Sequence, residues 1–194
     1  LKFDNKYVIS SSPERFLSLQ NVTDSNGKQR DCAVRKIQTI PIKGTRPRGK
    51  DEDKNRKMQE DLLSSKKDDA ELAMIVDLER NDLGRVCNYN TVKVTEKKKL
   101  EAHPTVYHLV ATVEGELHSR YDAIDLLKAT FPGGSITGAP KVRAMQIIDE
   151  LEPNKRSVYT GSMGYLSFNG NMDLNIAIRT FLVKDDHIFF QVGG

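Results

Sequence analysis

Residues 157–192, SVYTGSMGYLSFNGNMDLNIAIRTFLVKDDHIFFQV, decide the fold class. Three runs rich in β-branched and aromatic residues, Ser157–Phe168, Met172–Val183 and His187–Val192, are separated by Asn169-Gly170 and by Asp185-Asp186. Asn, Asp and Gly are the residues tight hairpins select, because they tolerate positive φ at little cost. Strands joined by such turns run antiparallel, so this end of the chain is expected to build antiparallel sheet.

Upstream, the period of the apolar residues changes. Ala139–Leu151 reads as a helix opened by Pro140, whose fixed φ suits a first turn. Ala123–Thr130 reads as a shorter helix and Val106–Val113 as a strand. Between Asp68 and Leu83, apolar residues at Leu72, Ile75, Val76, Leu78 and Leu83 follow helical spacing, which predicts a half-buried helix. The charged run Arg46–Lys57, with Pro47 and Gly49 near its start, is expected to be solvated or mobile and to lead into a helix ending near Ser64. Strands are expected at Lys6–Ser11 and Ala33–Ile40, with the polar stretch Asn21–Asp31 as an exposed hairpin loop. Helices and hairpin strands in separate blocks give an α+β fold with largely antiparallel strands.

Composition narrows the class of function. The chain of 194 residues is 38% hydrophobic, enough for one sizeable core. Charged residues nearly cancel, leaving +3, and no basic stripe with interleaved aromatics is present, so no nucleic-acid partner is expected. No apolar run approaches the length that spans a bilayer, so no membrane partner is expected either. The two cysteines, Cys32 and Cys87, lie far apart without CxxC spacing, which fits a reduced, cytoplasmic setting. A start inside a strand at Leu1 and a stop at Gly193-Gly194 read as the ends of an excised piece.

Several residues could carry chemistry. The loop Phe131-Pro132-Gly133-Gly134-Ser135-Ile136-Thr137-Gly138 before a helix offers backbone N–H groups to an anion, although such glycine-rich entries are often structural. Asp68 and Glu71, three apart at a helix start, can converge as hard oxygen ligands for Mg²⁺ or remain a solvated acidic pair. Lys43, between Pro41-Ile42 and Gly44-Thr45, sits where a short loop could present its amine as a nucleophile; alone, it reads as a surface lysine. His108 falls in an apolar strand, where a satisfied core histidine is the plain alternative. Arg179 follows Ile176-Ala177-Ile178, so its guanidinium needs a partner such as a substrate carboxylate.

Taken in order, Ser12-Pro13-Glu14-Arg15-Phe16, Pro41 to Arg48, Asp77 to Arg85, Phe131 to Lys141, and Gly161 to Tyr165 with Gly170 to Thr180 resemble the chorismate-utilising enzymes over nearly the whole chain. The resemblance implies a two-sheet sandwich with surrounding helices, of which residues 1–194 would be the chorismate-binding catalytic domain, truncated at both ends. Members that aminate chorismate at C4 are similar to this chain in having lysine in the Pro-Ile-x-Gly-Thr slot, whereas anthranilate-forming members carry alanine there. The implied reaction is therefore amination at C4 to 4-amino-4-deoxychorismate through a covalent lysine adduct, with anthranilate formation or a non-catalytic chorismate-binding module as alternatives. By the same resemblance Lys43, Glu14 and His108 are catalytic. Gly44, Thr45, Thr137, Tyr159, Gly161 and Arg179 contact substrate, and Glu71 with Asp68 binds Mg²⁺. Ammonia is expected from a glutamine amidotransferase subunit or domain, and further Mg²⁺ ligands from a segment that follows the final Gly-Gly in the family.

Overall fold

A computed structural model describes residues 1–22 and 34–193. The expected hairpin loop over Asn21–Asp31, the beginning of the strand expected at Ala33, and Cys32 and Gly194 fall wholly or mostly outside the described residues. The α+β class holds: among the described residues there are two sheets, with every pairing antiparallel, and four α-helices.

The elements run β1 (Lys2–Phe3), β2 (Lys6–Ser10), β3 (Arg15–Asn21), β4 (Arg35–Ile40), β5 (Ile42–Pro47), α1 (Glu52–Ser64), α2 (Lys66–Gly84), β6 (Lys93–Ala102) and β7 (Val106–Leu117). They continue with α3 (Ala123–Thr130), a 3-10 turn at Gly134–Ile136, α4 (Lys141–Leu151), β8 (Ser162–Leu166), β9 (Met172–Ile176), β10 (Thr180–Lys184) and β11 (His187–Phe190). The larger sheet has seven strands in the order β5-β7-β4-β3-β9-β8, with β6 also paired to β7; the smaller has the order β1-β2-β10-β11.

Strand β7 is the centre of the core. Tyr107 to Val113 are all buried, on both faces of the strand, which is why they read as a continuous apolar run rather than an alternating one. Leu17 and Leu19 of β3, Ile37 of β4, Leu62 of α1, Leu72 and Leu83 of α2, and Leu126 of α3 pack into the same cluster.

Four expectations are corrected. The strand expected over Met172–Val183 is two strands in different sheets: β9 pairs with β3 and β10 with β2. The break lies at Arg179, whose φ of 49° is incompatible with continued strand. The strand expected over Ser157–Phe168 is confined to Ser162–Leu166, with Ser157 and Thr160 also at positive φ. The charged run Arg46–Lys57 is largely exposed, as one alternative had it, but it forms the end of β5 and the start of α1 rather than a mobile segment. Asp51 caps α1 by accepting from the Lys54 amide at 3.1 Å, and buried Asn55 exchanges hydrogen bonds with both backbone groups of Gly49. The Pro41 to Thr45 stretch is largely strand rather than loop, since Ile42 and Thr45 pair with Val110 and His108 of β7 across an irregular register. Two unpredicted strands, β3 and β6, flank the core. No helix among the described residues is long and apolar enough to cross a membrane.

Candidate active site

Glu14, Lys43, Ser135, Thr137, Arg156 and Tyr159 meet around a cavity of about 420 Å³, with Met74, Ile75 and Ile178 supplying apolar wall. Three elements set this geometry. Glu14 precedes β3 and is fixed by its own backbone, whose carbonyl accepts from the Ile176 amide at 3.1 Å. Lys43 stands in β5, and its Nζ donates to the Ser135 carbonyl at 3.4 Å. The Phe131 to Pro140 loop closes the far side.

That loop is held from beneath. Lys141, at the start of α4, donates from one ammonium to the Thr130 carbonyl at 2.8 Å, to the Pro132 carbonyl at 2.7 Å and to Asp82 of α2. All three of its donors are used. A Cβ at Gly133 would lie 2.6 Å from Ile176 Cδ1, so loop and β9 approach closely there. Thr137 lines the cavity, and its Oγ1 donates to the Gly133 carbonyl at 2.8 Å.

Of the predicted site residues, the fold brings Glu14, Lys43, Thr137 and Tyr159 to one cavity. Gly161 closes the turn that carries Tyr159, its amide donating to the Val158 carbonyl at 3.1 Å. Thr45, His108 and Arg179 form a second group. Thr45 Oγ1 lies 2.9 Å from His108 Nδ1 across the β5–β7 pairing. His108 is 2% exposed, and burial, then His103 and Arg179, hold its imidazole below the ordinary histidine value, against the pull of Glu101. Arg179 itself is exposed.

Gly44, with φ of 80°, links the site to the acids at the start of α2, because a Cβ there would lie 2.8 Å from Leu62 Cδ1 and 2.9 Å from Asp68 Cγ. Asp68 accepts from Arg46 Nη2 at 3.1 Å. Glu71 is half-buried, and among the described residues its carboxylate has only Lys67, at 3.7 Å. One helical turn further on, Met74 and Ile75 line the cavity, so Glu71 stands towards its edge. Among the described residues no three His, Cys, Asp or Glu side chains gather as a metal cluster. Mg²⁺ needs only one or two protein carboxylates, leaving its other positions to water and substrate oxygens, so Glu71 fits as a ligand; Asp68 is engaged by Arg46.

Electrostatics mark Glu14. It is 5% exposed, and burial raises its carboxyl above the ordinary value, while hydrogen bonding from Ser135, the charge of Lys43 and the Ile42 backbone pull the other way. A buried acid next to an amine is the arrangement general acid–base chemistry uses.

Sequence reasoning missed Ser135, Arg156, Lys141 and Glu79. Arg156 donates to the Ile136 carbonyl at 2.8 Å and is clamped by both oxygens of Glu152 at 2.8 and 2.6 Å. Glu79 had a signal, for it falls in the buried phase of α2 with Leu72, Ile75, Val76 and Leu83.

Comparison with known proteins agrees over the full length. Residues 1–194 match the sequence family described as chorismate binding enzyme. The chain is 50% identical over 194 residues to aminodeoxychorismate synthase component 1 of Escherichia coli and 49% identical over 194 residues to anthranilate synthase component 1 of Aquifex aeolicus, covering 40% and 37% of those proteins. It thus spans about two fifths of the length of these relatives. Its fold is similar to the crystal structure of anthranilate synthase component I from Streptococcus pneumoniae, with a TM-score of 0.78 and 40% identity over 94% of this chain and 37% of that one.

Proposed function

The chain belongs to the chorismate-binding enzyme family, and from that premise we propose that it carries out amination of chorismate at C4, giving 4-amino-4-deoxychorismate. The observation that carries this reading is Lys43, whose ammonium reaches Ser135 on the wall of the cavity that also holds Glu14.

The amine of Lys43 adds to C2 of the ring, both ring double bonds shift, and the C4 hydroxyl departs as water with a proton from Glu14. Ammonia then attacks C4, both double bonds shift back and the Lys43 amine leaves from C2. Two such displacements retain configuration at C4. An alanine in place of Lys43 would leave C2 open to ammonia, which is the regiochemistry of anthranilate formation. In this reading buried, neutral His108 hydrogen-bonds the substrate, Gly44 and Thr45 contact the ring substituents, and Tyr159, beside Gly161, acts with Arg179 on the enolpyruvyl carboxylate. Thr137 shapes the pocket through its loop. Glu71, with Asp68 beside it, would hold Mg²⁺, which when bound neutralises the ring carboxylate and polarises the departing hydroxyl. The ammonia would come from a glutamine amidotransferase partner or domain.

The test is product analysis of the intact protein with chorismate, ammonia and Mg²⁺. The product expected is 4-amino-4-deoxychorismate, with a substrate-derived adduct mapping to Lys43 by peptide mass spectrometry. Anthranilate as sole product, or undiminished C4 amination in Lys43→Ala, would overturn the assignment.

A further inference from the structure

The Phe131 to Pro140 loop is pinned a second time, by a residue the proposed reaction does not use. Arg156 Nη1 donates to the Ile136 carbonyl at 2.8 Å and lies 3.4 Å from Thr160 Oγ1. Ile136 ends the 3-10 turn Gly134–Ile136, and the carbonyl just before it, that of Ser135, is the one that receives Lys43 Nζ at 3.4 Å. Two successive carbonyls of one turn therefore accept from two different cations. Their peptide planes are joined only through the φ and ψ of Ile136, so holding the second carbonyl restricts where the first can point. The turn's own bond, from the Thr137 amide to the Gly134 carbonyl at 3.2 Å, restricts it further.

Arg156 is itself held. Glu152, which follows the last residue of α4, accepts from Nε at 2.8 Å and from Nη2 at 2.6 Å, a fork that orients the guanidinium plane and leaves Nη1 to the loop. A lysine could not grip Glu152 through two nitrogens and donate to Ile136 from the same plane. The backbone of Arg156 serves another part of the site, because its carbonyl accepts from the Tyr159 amide at 3.0 Å. One residue thus joins the turn under Lys43 to the turn that carries Tyr159. Ile136, Thr137, Arg156 and Thr160 line both the site cavity and a second cavity of about 380 Å³. A wall with open space on two sides is held by its hydrogen bonds rather than by close packing.

We propose that Arg156 is a positioning residue acting on Lys43 through the Ser135-Ile136 turn: Glu152 sets the guanidinium, the guanidinium sets the turn, and the turn sets the direction of the Lys43 amine. This rests on the reading of Lys43 as the nucleophile. Each link is a hydrogen bond with a measured length, and none requires Arg156 to touch substrate. An attacking amine is sensitive to such support, since misplacement by about 1 Å costs on the order of a hundredfold in rate.

The experiment compares wild type with Arg156→Met, Arg156→Lys and Glu152→Gln in the intact protein. Ligand-free protein is treated with acetic anhydride, and modification at each lysine is read by peptide mass spectrometry, with exposed lysines as internal standards. Released from the Ser135 carbonyl, Lys43 is expected to react about fivefold faster in Arg156→Met, the effect of one lost hydrogen bond, while the exposed lysines keep their rates. Arg156→Lys should behave in the same way, and Glu152→Gln should shift Lys43 in the same direction by less. With chorismate, ammonia and Mg²⁺, kcat for chorismate consumption should fall at least about tenfold in Arg156→Met, with KM for chorismate within about twofold of wild type. Melting temperatures identify a variant that does not fold, and the two milder variants then carry the comparison. Lys43 reactivity unchanged in every folded variant would overturn the proposal. So would a raised KM with kcat intact, which would make Arg156 a substrate contact. Undiminished C4 amination in Lys43→Ala would instead remove the reading of Lys43 as the nucleophile, and the modification rates would still report whether Arg156 sets its amine.

Discussion

Helix α2 carries two acidic pairs at the same spacing, Asp68 with Glu71 near its start and Glu79 with Asp82 near its end, and the fold treats them in opposite ways. The first pair is half-buried at the cavity edge, where Asp68 takes Arg46 and Glu71 takes only a long contact to Lys67 among the described residues. The second is buried beneath the Phe131 to Pro140 loop, where Asp82 takes Lys141 and Glu79 takes Thr39. Identical spacing therefore says which residues share a helix face but not what that face meets. A pair left in water is free to bind an ion and adds little to stability; a pair taken out of water must be matched by a cation, a donor or a proton.

The largest effect that separates the two pairs is expected at Lys141. Asp82 is 2% exposed, its Oδ1 has no hydrogen-bond partner among the described residues, and its Oδ2 depends on the Lys141 ammonium. Lys141→Met would leave an uncompensated buried carboxylate, a change that costs about 3–5 kcal/mol. Urea unfolding of the intact protein measures it. Lys141→Met/Asp82→Leu should recover most of the loss, since a volume-filling apolar pair has no charge to solvate. A single variant losing less than about 1 kcal/mol would mean the buried end of α2 is no more demanding than the exposed end.

The next effect is one of pH. Glu79 and Glu14 both have raised carboxyls in the folded protein, against an ordinary value of 4.5. The sign follows from linkage: the folded state binds the proton more tightly than the unfolded chain, so the stabilisation is complete below that value and is lost as pH rises through the raised one. Wild-type melting temperature should fall from mildly acid to alkaline pH relative to Glu79→Gln, with Glu79→Gln the more stable protein on the alkaline side. Parallel melting curves across that range would show that Glu79 does not hold its proton against solvent.

Much of this contrast is legible in the amino-acid sequence, and the rest is hidden there for identifiable reasons. Helix α3 and the phase of α2 follow from capping and periodicity: Asp122 and Asp125 form a reciprocal capping box, and Leu72, Ile75, Val76 and Leu83 mark one face. Glu79 is readable as a charge on that apolar face, yet its hydrogen-bond partner Thr39 is distant in sequence, and nothing local shows that the two meet. Strand β6 escapes notice because Lys97, Lys98 and Lys99 look like a solvated run, although alternate residues are half-buried against β7. Strand β3 is buried at four consecutive positions, Phe16 to Leu19, so it lacks the alternation that identifies a one-sided strand. The split of β9 from β10 depends on the backbone of Arg179, a residue whose type does not announce a positive φ. At the site, Glu14, Lys43 and Thr137 follow from motif blocks, whereas the contacts of Ser135 with Lys43 and of Arg156 with Ile136 are made only by folding.

The smallest effect on stability is expected at the exposed end of α2, and it is the one that gives that end a function. Glu71 loses only a long contact to Lys67 on substitution by Gln, with no buried donor left unpaired among the described residues, so unfolding free energy should change by no more than about 0.5 kcal/mol. Ligand binding should respond in the opposite measure. If Glu71 supplies a metal carboxylate at the cavity edge, Mg²⁺ and chorismate complete each other's site, and together they should raise the melting temperature of wild type more than either alone. Glu71→Gln should abolish that joint increment while leaving the ligand-free melting temperature in place, and calorimetric titration of Mg²⁺ into the protein with chorismate should show the same loss of affinity. Asp68→Asn separates the two roles within the pair: with its carboxylate engaged by Arg46, it should weaken the joint increment less than Glu71→Gln does. An increment that survives in Glu71→Gln would make the first pair on α2 a solvated surface feature, and the metal carboxylates would have to lie elsewhere.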